Sequence, residues 1–387
     1  MPLKAKDFNL PQDLQRYRLA VREFVRTDLE RWAERLEGMT HTPQELVDLM
    51  AEAGLLKLTL PREYGGWELT QVQYVPILEE VAKSHGAIRM VAHGANGLSM
   101  TTILEYGTEE MKQDYLPRIG IGEATIGFAL TEPGTGSGMD IKTTAVRDGD
   151  NFILNGRKHI ITNADMATAL NTLTVTDRSA GRRGLTSLLV EKGSPGLSVI
   201  EMPQPMGNRG TFHAELVFKD CVVPAKNVLG EVGQGIDIAL GLLDLSRFSI
   251  AVSCLGLAQR FLELCVPYTR KRVTFGKPIA ERQAVQQMLG DMATDVYALR
   301  VMVNDIAQRH DRGLPIRKES SMCKLFGLET VRRVGDSALI IHGGLGYFKT
   351  FVIERMYRDS RALWFEEGTP TIQRLVIARD VFEEYKE

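Results

Sequence analysis

The sequence predicts an α+β multidomain chain: an N-terminal α-helical domain over residues 1–122, a middle β-barrel or sandwich domain over 123–232, and a C-terminal four-helix bundle over 233–387. Three observations carry this. Apolar residues recur at helical spacing through roughly the first 120 positions. Between Ile126 and Val223 the pattern shortens to strand-like runs parted by turn residues, and from Gly233 long helical periodicity returns.

In chain order, Leu14, Tyr17, Val21, Phe24, Val25, Leu29 and Trp32 mark one face of an amphipathic helix. Thr42-Pro43-Gln44-Glu45 reads as N-cap, first-turn proline and capping-box glutamate of a second helix that Gly54 ends. Leu60 to Gly66 is turn-rich, and two more periodic segments run to Ile119. Thr143 to Arg147, Asp148-Gly149-Asp150 and Phe152 to Leu154 form a hairpin signal that Leu185 to Val190 and Leu216 to Phe218 continue. Ile236–Cys265, Ala280–Gln308, Glu319–Ile341 and Thr371–Tyr385 read as the four C-terminal helices.

The composition, 44% hydrophobic and 25% charged, allows a core large enough to enclose a cofactor. A net charge of -2 gives no basic stripe for nucleic acid or an anionic membrane. No stretch reads as roughly 18 uncharged apolar residues, the N-terminus lacks a signal core, and no transit peptide is visible. The expected location is cytoplasmic, or the mitochondrial matrix in a eukaryote. Cys221, Cys254, Cys265 and Cys323 lack metal-ligand spacing and read as buried free thiols; the seven histidines are scattered, so no metal is expected.

Five stretches carry chemistry. Trp364-Phe365-Glu366-Glu367-Gly368-Thr369 puts two carboxylates on a helix–helix connection, with Gly368 free to take positive φ and Thr369-Pro370 starting the next helix. It is either a solvated acidic loop or a rigid corner holding a base. Phe128 to Gly138 follows an apolar strand with Thr131, Ser137 and several glycines, suiting a phosphate or flavin edge, or only a turn. Asn155 to Asn163 brings Thr162 toward it. Arg270 to Pro278, followed by Gln283, concentrates cations and Phe275 between two helices, for a pyrophosphate or a helix end. His342-Gly343-Gly344-Leu345-Gly346 has more glycine than a helix end needs.

Thr131-Glu132-Pro133-Gly134 with Gly136-Ser137, Ile161-Thr162-Asn163, Arg272-Val273-Thr274-Phe275-Gly276, Gly343-Gly344-Leu345-Gly346-Tyr347 and Glu367-Gly368-Thr369 stand in the order and spacing of the acyl-CoA dehydrogenase family, which the whole chain resembles. The resemblance implies FAD, with Thr131 and Thr162 on its isoalloxazine ring and Ser137 on its pyrophosphate. Phe128, Leu130, Ile160, Thr274 and Thr369 belong to the same implied cofactor site. Arg272, Phe275, Gln283 and the Gly343-Gly344 turn match positions reaching a neighbouring subunit's FAD, implying a homotetramer. Glu367 matches the base that takes the α-proton of an acyl-CoA while the β-hydride passes to flavin N5. Its backbone N–H matches a donor to the thioester oxygen, Gly368 adjoins it, and Asp244 and Arg247 match the pantetheine channel. An electron-transferring flavoprotein is the implied acceptor. Ser246 stands where some members hold the base instead. Ile160 replaces a common aromatic, Ile340 a common glutamine, and one residue is missing after Ser137.

Arg89 sits in the otherwise uncharged run Ala87-Ile88-Arg89-Met90-Val91-Ala92 and needs an anionic partner. Its position resembles that of an arginine in glutaryl-CoA dehydrogenases which holds the far carboxylate of the substrate, making a polar or dicarboxylic acyl chain one expectation; a local Glu79 or Glu105 is the other. His93 and Asn96 line the same pocket or satisfy it. The rival readings are a non-oxidising lyase or reductase on this scaffold and a flavoprotein serving as a binding module.

Overall fold

The computed structural model describes residues 3–135, 140–349 and 351–386. Seven helices make the N-terminal part: α1 (Leu14–Phe24), α2 (Glu30–Leu36), α3 (Gln44–Glu52), α4 (Gln71–Ala82), α5 (Gly86–Gly94), α6 (Met100–Tyr106) and α7 (Glu109–Gly120). A single π-turn, Val25–Leu29, joins α1 to α2, so the first apolar stripe continues through both. Pro43 immediately precedes α3; the Thr42 hydroxyl does not cap that helix but donates to the Gly210 carbonyl at 2.8 Å, tying the helices to the middle domain.

Strands β1 (Ile126–Ala129), β2 (Thr144–Asp148), β3 (Asn151–Thr162), β4 (Ala169–Val175), β5 (Leu185–Glu191), β6 (Leu197–Glu201) and β7 (His213–Pro224) build one seven-stranded sheet in the order β1-β4-β2-β3-β7-β6, with β5 also on β4. The expected hairpin is present, Asp148 facing Asn151 across its turn. Alternating inward residues of the sheet, among them Phe152 and Leu154 of β3 and Leu216 and Phe218 of β7, form a separate apolar core.

The C-terminal part consists of α8 (Gly235–Lys271), α9 (Gln283–Asp311), α10 (Arg317–His342), α11 (Val352–Ala362) and α12 (Pro370–Glu384). The four long helices match expectation. The short α11 was not foreseen, because its inward face includes Arg355, Asp359 and Ser360 beside Ile353 and Met356, and buried polar groups break an apolar stripe. α8 does have the length and hydropathy of a membrane span, against expectation, but 78% of its most apolar window is buried as core. All four cysteines are buried and free, as expected.

Asp359 draws the three parts together. Its carboxylate accepts from the Asn208 N–H of the middle domain at 2.7 Å and from Gly86 N–H at the start of α5 at 3.2 Å. Beside it His85 accepts the Ala87 N–H on Nδ1, which leaves Nε2 to donate to Glu37 at 3.3 Å.

Phe261 of α8 is fully buried and its ring meets α10 at Gly335. Phe261→Ala is expected to lower unfolding free energy by about 3–5 kcal/mol, read as a reduced urea midpoint.

Candidate active site

The connection between α11 and α12 makes a sharp corner. Glu367 has φ 54 and Gly368 φ 93, and a left-handed non-glycine residue costs about 1–3 kcal/mol unless its surroundings enforce it. Three groups do so by taking successive carbonyls. The ammonium of Lys324, fully buried on α10, donates to Glu366 O and, at 2.6 Å, to Gly368 O. Arg247 Nε donates to Glu367 O at 3.3 Å, and Gln373 Nε2 reaches Glu367 O at 3.1 Å and Gly368 O at 2.9 Å. The N–H of Glu367 has no hydrogen-bond partner among the described residues.

The two carboxylates of the corner differ. Glu366 lies in a bidentate pair with Arg89, 2.7 and 2.8 Å. Burial alone would raise its proton affinity, but the Arg89 charge outweighs this and holds it ionised below the ordinary range. Glu367 goes the other way: burial raises its pKa, and Lys324 and the Ser246 hydroxyl offset only part. Ser246 is in turn 2.9 Å from Nε2 of His93, whose imidazole burial and the nearby Arg89 hold neutral, with a pKa lowered to about 4.

Arg89 therefore has an anionic partner, but not Glu79, which pairs with Arg300 at 2.6 Å, and not the neighbouring Glu105. Of the two carboxylates of the corner, Glu366 is thus the buried partner of an ion pair. Asn96 spends its side chain on backbone: Oδ1 accepts from Leu58 and Thr59 N–H, and Nδ2 donates to Leu55 and Ala92 carbonyls. It supports the pocket and has no donor left for a ligand. Asp244 and Arg247 pair at 2.9 Å one turn apart on α8.

Lys324 and Gln373 were missed. Lys324 shares helical register with Ser320, Leu328 and Val331, all buried, and that register was the available signal.

At the other cluster, Thr131 and β3 are adjacent, since His159 N–H donates to Thr131 O at 3.0 Å. Glu132, buried, anchors the loop by accepting from Lys142 and Thr143 N–H and from the buried Lys158 ammonium at 2.9 Å. Thr162 ends β3, Phe128 and Leu130 flank the loop, and Ser137 lies outside the described residues. Ile160 is 54% exposed at φ 56. Phe275 is 97% exposed at φ 48, between Thr274 and Gly276 at the α8–α9 junction with Arg272 and Gln283. Thr369 takes the N-cap position of α12 without a side-chain cap bond, and Pro370 follows as the first helical residue.

Family models described as acyl-CoA dehydrogenase N-terminal, middle and C-terminal domains match residues 11–123, 127–221 and 233–382. Acryloyl-CoA reductase (NADH) of Anaerotignum propionicum is 38% identical, over 98% of this chain and 97% of its own. The mitochondrial short-chain specific acyl-CoA dehydrogenase of Rattus norvegicus is 36% identical over 97% and 92%. The caffeyl-CoA reductase-Etf complex subunit CarC of Acetobacterium woodii is 37% identical over 89% and 91%. Among solved structures, butyryl-CoA dehydrogenase from Megasphaera elsdenii superposes with TM-score 0.91 at 31% identity, over 97% of this chain and all of that one. A glutaryl-coenzyme A dehydrogenase–glutaryl-CoA complex gives 0.89 at 33% over 97% of both. The Bacillus anthracis acyl-CoA dehydrogenase complexed with FAD gives 0.89 at 30%, over 99% of this chain and 68% of that one.

The family binds FAD, and the residues here fit that group. Among the described residues the buried Thr135 hydroxyl has no partner, and Gly134, Gly343 and Gly344 each face open space where a Cβ would stand. The uncharged hydroxyls of Thr131 and Thr162 suit a polar ring edge. Because Glu132 and Lys158 hold this loop as a buried pair, Glu132→Leu is expected to cost about 3–5 kcal/mol by urea unfolding. The double variant with Lys158→Met should recover most of that loss, since it removes the stranded charge.

Proposed function

The chain belongs to the acyl-CoA dehydrogenase family, and from that premise we propose that it interconverts an acyl-CoA and its 2-enoyl-CoA, with Glu367 carrying the α-proton. The observation behind this is the corner itself: a carboxyl with raised proton affinity beside its own unpaired backbone N–H. A thioester carbonyl accepting that N–H would bring its α-carbon to the carboxyl, and the same N–H would stabilise the charge that grows on oxygen as the proton leaves. FAD, when bound, takes the β-hydride or returns it. The paired Asp244 and Arg247 suit the amide-bearing pantetheine arm, which needs polar partners but no net charge.

For the acyl chain, the pair of Arg89 and Glu366 favours a short uncharged group. A free guanidinium would clamp a distal carboxylate, but here Glu366 already occupies the bidentate fork of its two terminal nitrogens. A dicarboxylic acyl chain would set a second buried anion against the first, at a cost of several kcal/mol. The names of the acryloyl-CoA, butyryl-CoA and short-chain relatives agree with a short chain. A glutaryl-type substrate remains the second reading, supported by the similarity to the glutaryl-CoA complex. The exposed Phe275, Tyr347 and Phe348 favour a homo-oligomer, a tetramer by family resemblance, in which a neighbouring copy covers them. The Etf-complex relative supports an electron-transferring flavoprotein as redox partner.

Anaerobic mixing of the yellow holoenzyme with a thioester panel tests the reading. Butyryl- or propionyl-CoA is expected to bleach the flavin band and glutaryl-CoA to do so poorly; the opposite order would restore Arg89 as a carboxylate clamp. Glu367→Gln should retain FAD and lose about 10²–10⁴-fold in reduction rate. Because the carboxyl must be ionised to take a proton, the wild-type rate should rise with pH through a midpoint above the ordinary carboxylate value of 4.5. A midpoint at or below it would count against Glu367.

A further inference from the structure

The Lys324 ammonium is an unusual investment for a helix interior: a fully buried cation whose bonds go to the backbone of the corner, to Glu366 O and Gly368 O, rather than to a carboxylate. The carbonyl it takes at Glu366 belongs to the same peptide unit as the N–H of Glu367. In a planar trans peptide these two groups point in opposite directions, so fixing one fixes the other. A charged donor on the carbonyl also polarises the amide, making its N–H a stronger donor, as in any chain of hydrogen bonds in a low-dielectric interior. Arg247 and Gln373 hold the next two carbonyls, so the peptide cannot flip without breaking several buried bonds.

We propose that Lys324 is a positioning residue for the reaction: it acts through the 366–367 peptide to aim and strengthen the Glu367 N–H that meets the thioester oxygen. This rests on the functional reading above. Lys324 touches neither substrate nor flavin in this role. A merely structural lysine would fill space and secure the corner, and a neutral isostere would then support catalysis once folded. The polarising role requires the charge.

The charge is also open to titration. Burial lowers the Lys324 pKa to about 8, against the raising effect of Glu367, Glu366 and Cys254; Arg247 on α8 lowers it further. Arg89, across the corner, gives its hydrogen bonds to Glu366, and Cys254 is pushed up to about 12 and does not titrate nearby. With a lowered pKa the ammonium is present below about pH 8 and lost as pH rises through it, so its contribution disappears on the alkaline side.

The test uses holoenzyme of wild type, Lys324→Met and Lys324→Gln, with whichever thioester bleaches wild type fastest. Lys324→Met is expected to keep FAD and to bind the thioester within a few-fold, while the reduction rate constant at saturation falls about 10²-fold, the loss typical of one oxyanion donor. Lys324→Gln, a neutral donor, should fall between. A bound 3-oxoacyl-CoA, read by its enolate absorbance, should be less enolised in Lys324→Met than in wild type. The wild-type rate should decline above about pH 8 and that limb should vanish in Lys324→Met. A Lys324→Met enzyme with wild-type reduction rate and enolate fraction overturns the proposal and leaves the functional reading standing. If no thioester bleaches wild type, the functional reading fails and takes this proposal with it. If neither variant retains FAD, the wild-type profile decides, and a rate constant level through pH 10 overturns the proposal.

Discussion

The left-handed backbone at Glu367 is the constraint on which the site depends. A glutamate does not hold φ 54 by preference, and no regular element imposes it, since α11 has ended and α12 has not begun. It persists because Lys324, Arg247 and Gln373, from three different helices, take the carbonyls on either side. The geometry of the corner is thus assembled by tertiary structure.

The same arrangement separates two adjacent, chemically identical side chains. Glu366 and Glu367 share a peptide unit, yet one is held ionised and the other inclined to keep a proton. The cause is local: Arg89 spends its fork on Glu366 in bidentate geometry, whereas Lys324 gives its hydrogen bonds to carbonyls and acts on Glu367 only through space. Were Lys324 turned onto the Glu367 carboxylate, the proton affinity a base needs would be lost. Directing a buried cation at backbone instead of at a carboxylate keeps the electrostatic compensation and leaves the Glu367 carboxyl free.

What could be read from the sequence follows from the range of the forces involved. Apolar periodicity is local, so α1, α8, α9, α10 and α12 and the β2–β3 hairpin were legible, and Gly368 beside a carboxylate pointed to the corner. Contacts between residues far apart in sequence were not. Arg89 needed an anion, but nothing local could say it lay 277 residues away, at Glu366. Thr42 sits where an N-cap belongs, and a carbonyl from the middle domain claims its hydroxyl instead. Helix α11 escaped because it buries Arg355 and Asp359, which pair across the domain seam and erase the stripe that would have revealed it.

Relatives of this chain have names of both dehydrogenases and reductases, and the role proposed for the corner would let one polypeptide framework serve both. A group that takes the α-proton in one direction must deliver it in the other, through the same transition state, so its geometry and the donor to the thioester oxygen are common to both reactions. Nothing at Glu367, Lys324 or Arg247 distinguishes oxidation from reduction. On that proposal, direction would be set where electrons enter or leave: by the surroundings of the flavin, for which Ile160 and the Thr131 loop are the proposed residues, and by the partner that exchanges electrons with it. In the role proposed for it, a raised proton affinity at Glu367 suits either case, because a base too weak to take the proton, or too strong to give it back, would slow one limb of a reversible exchange.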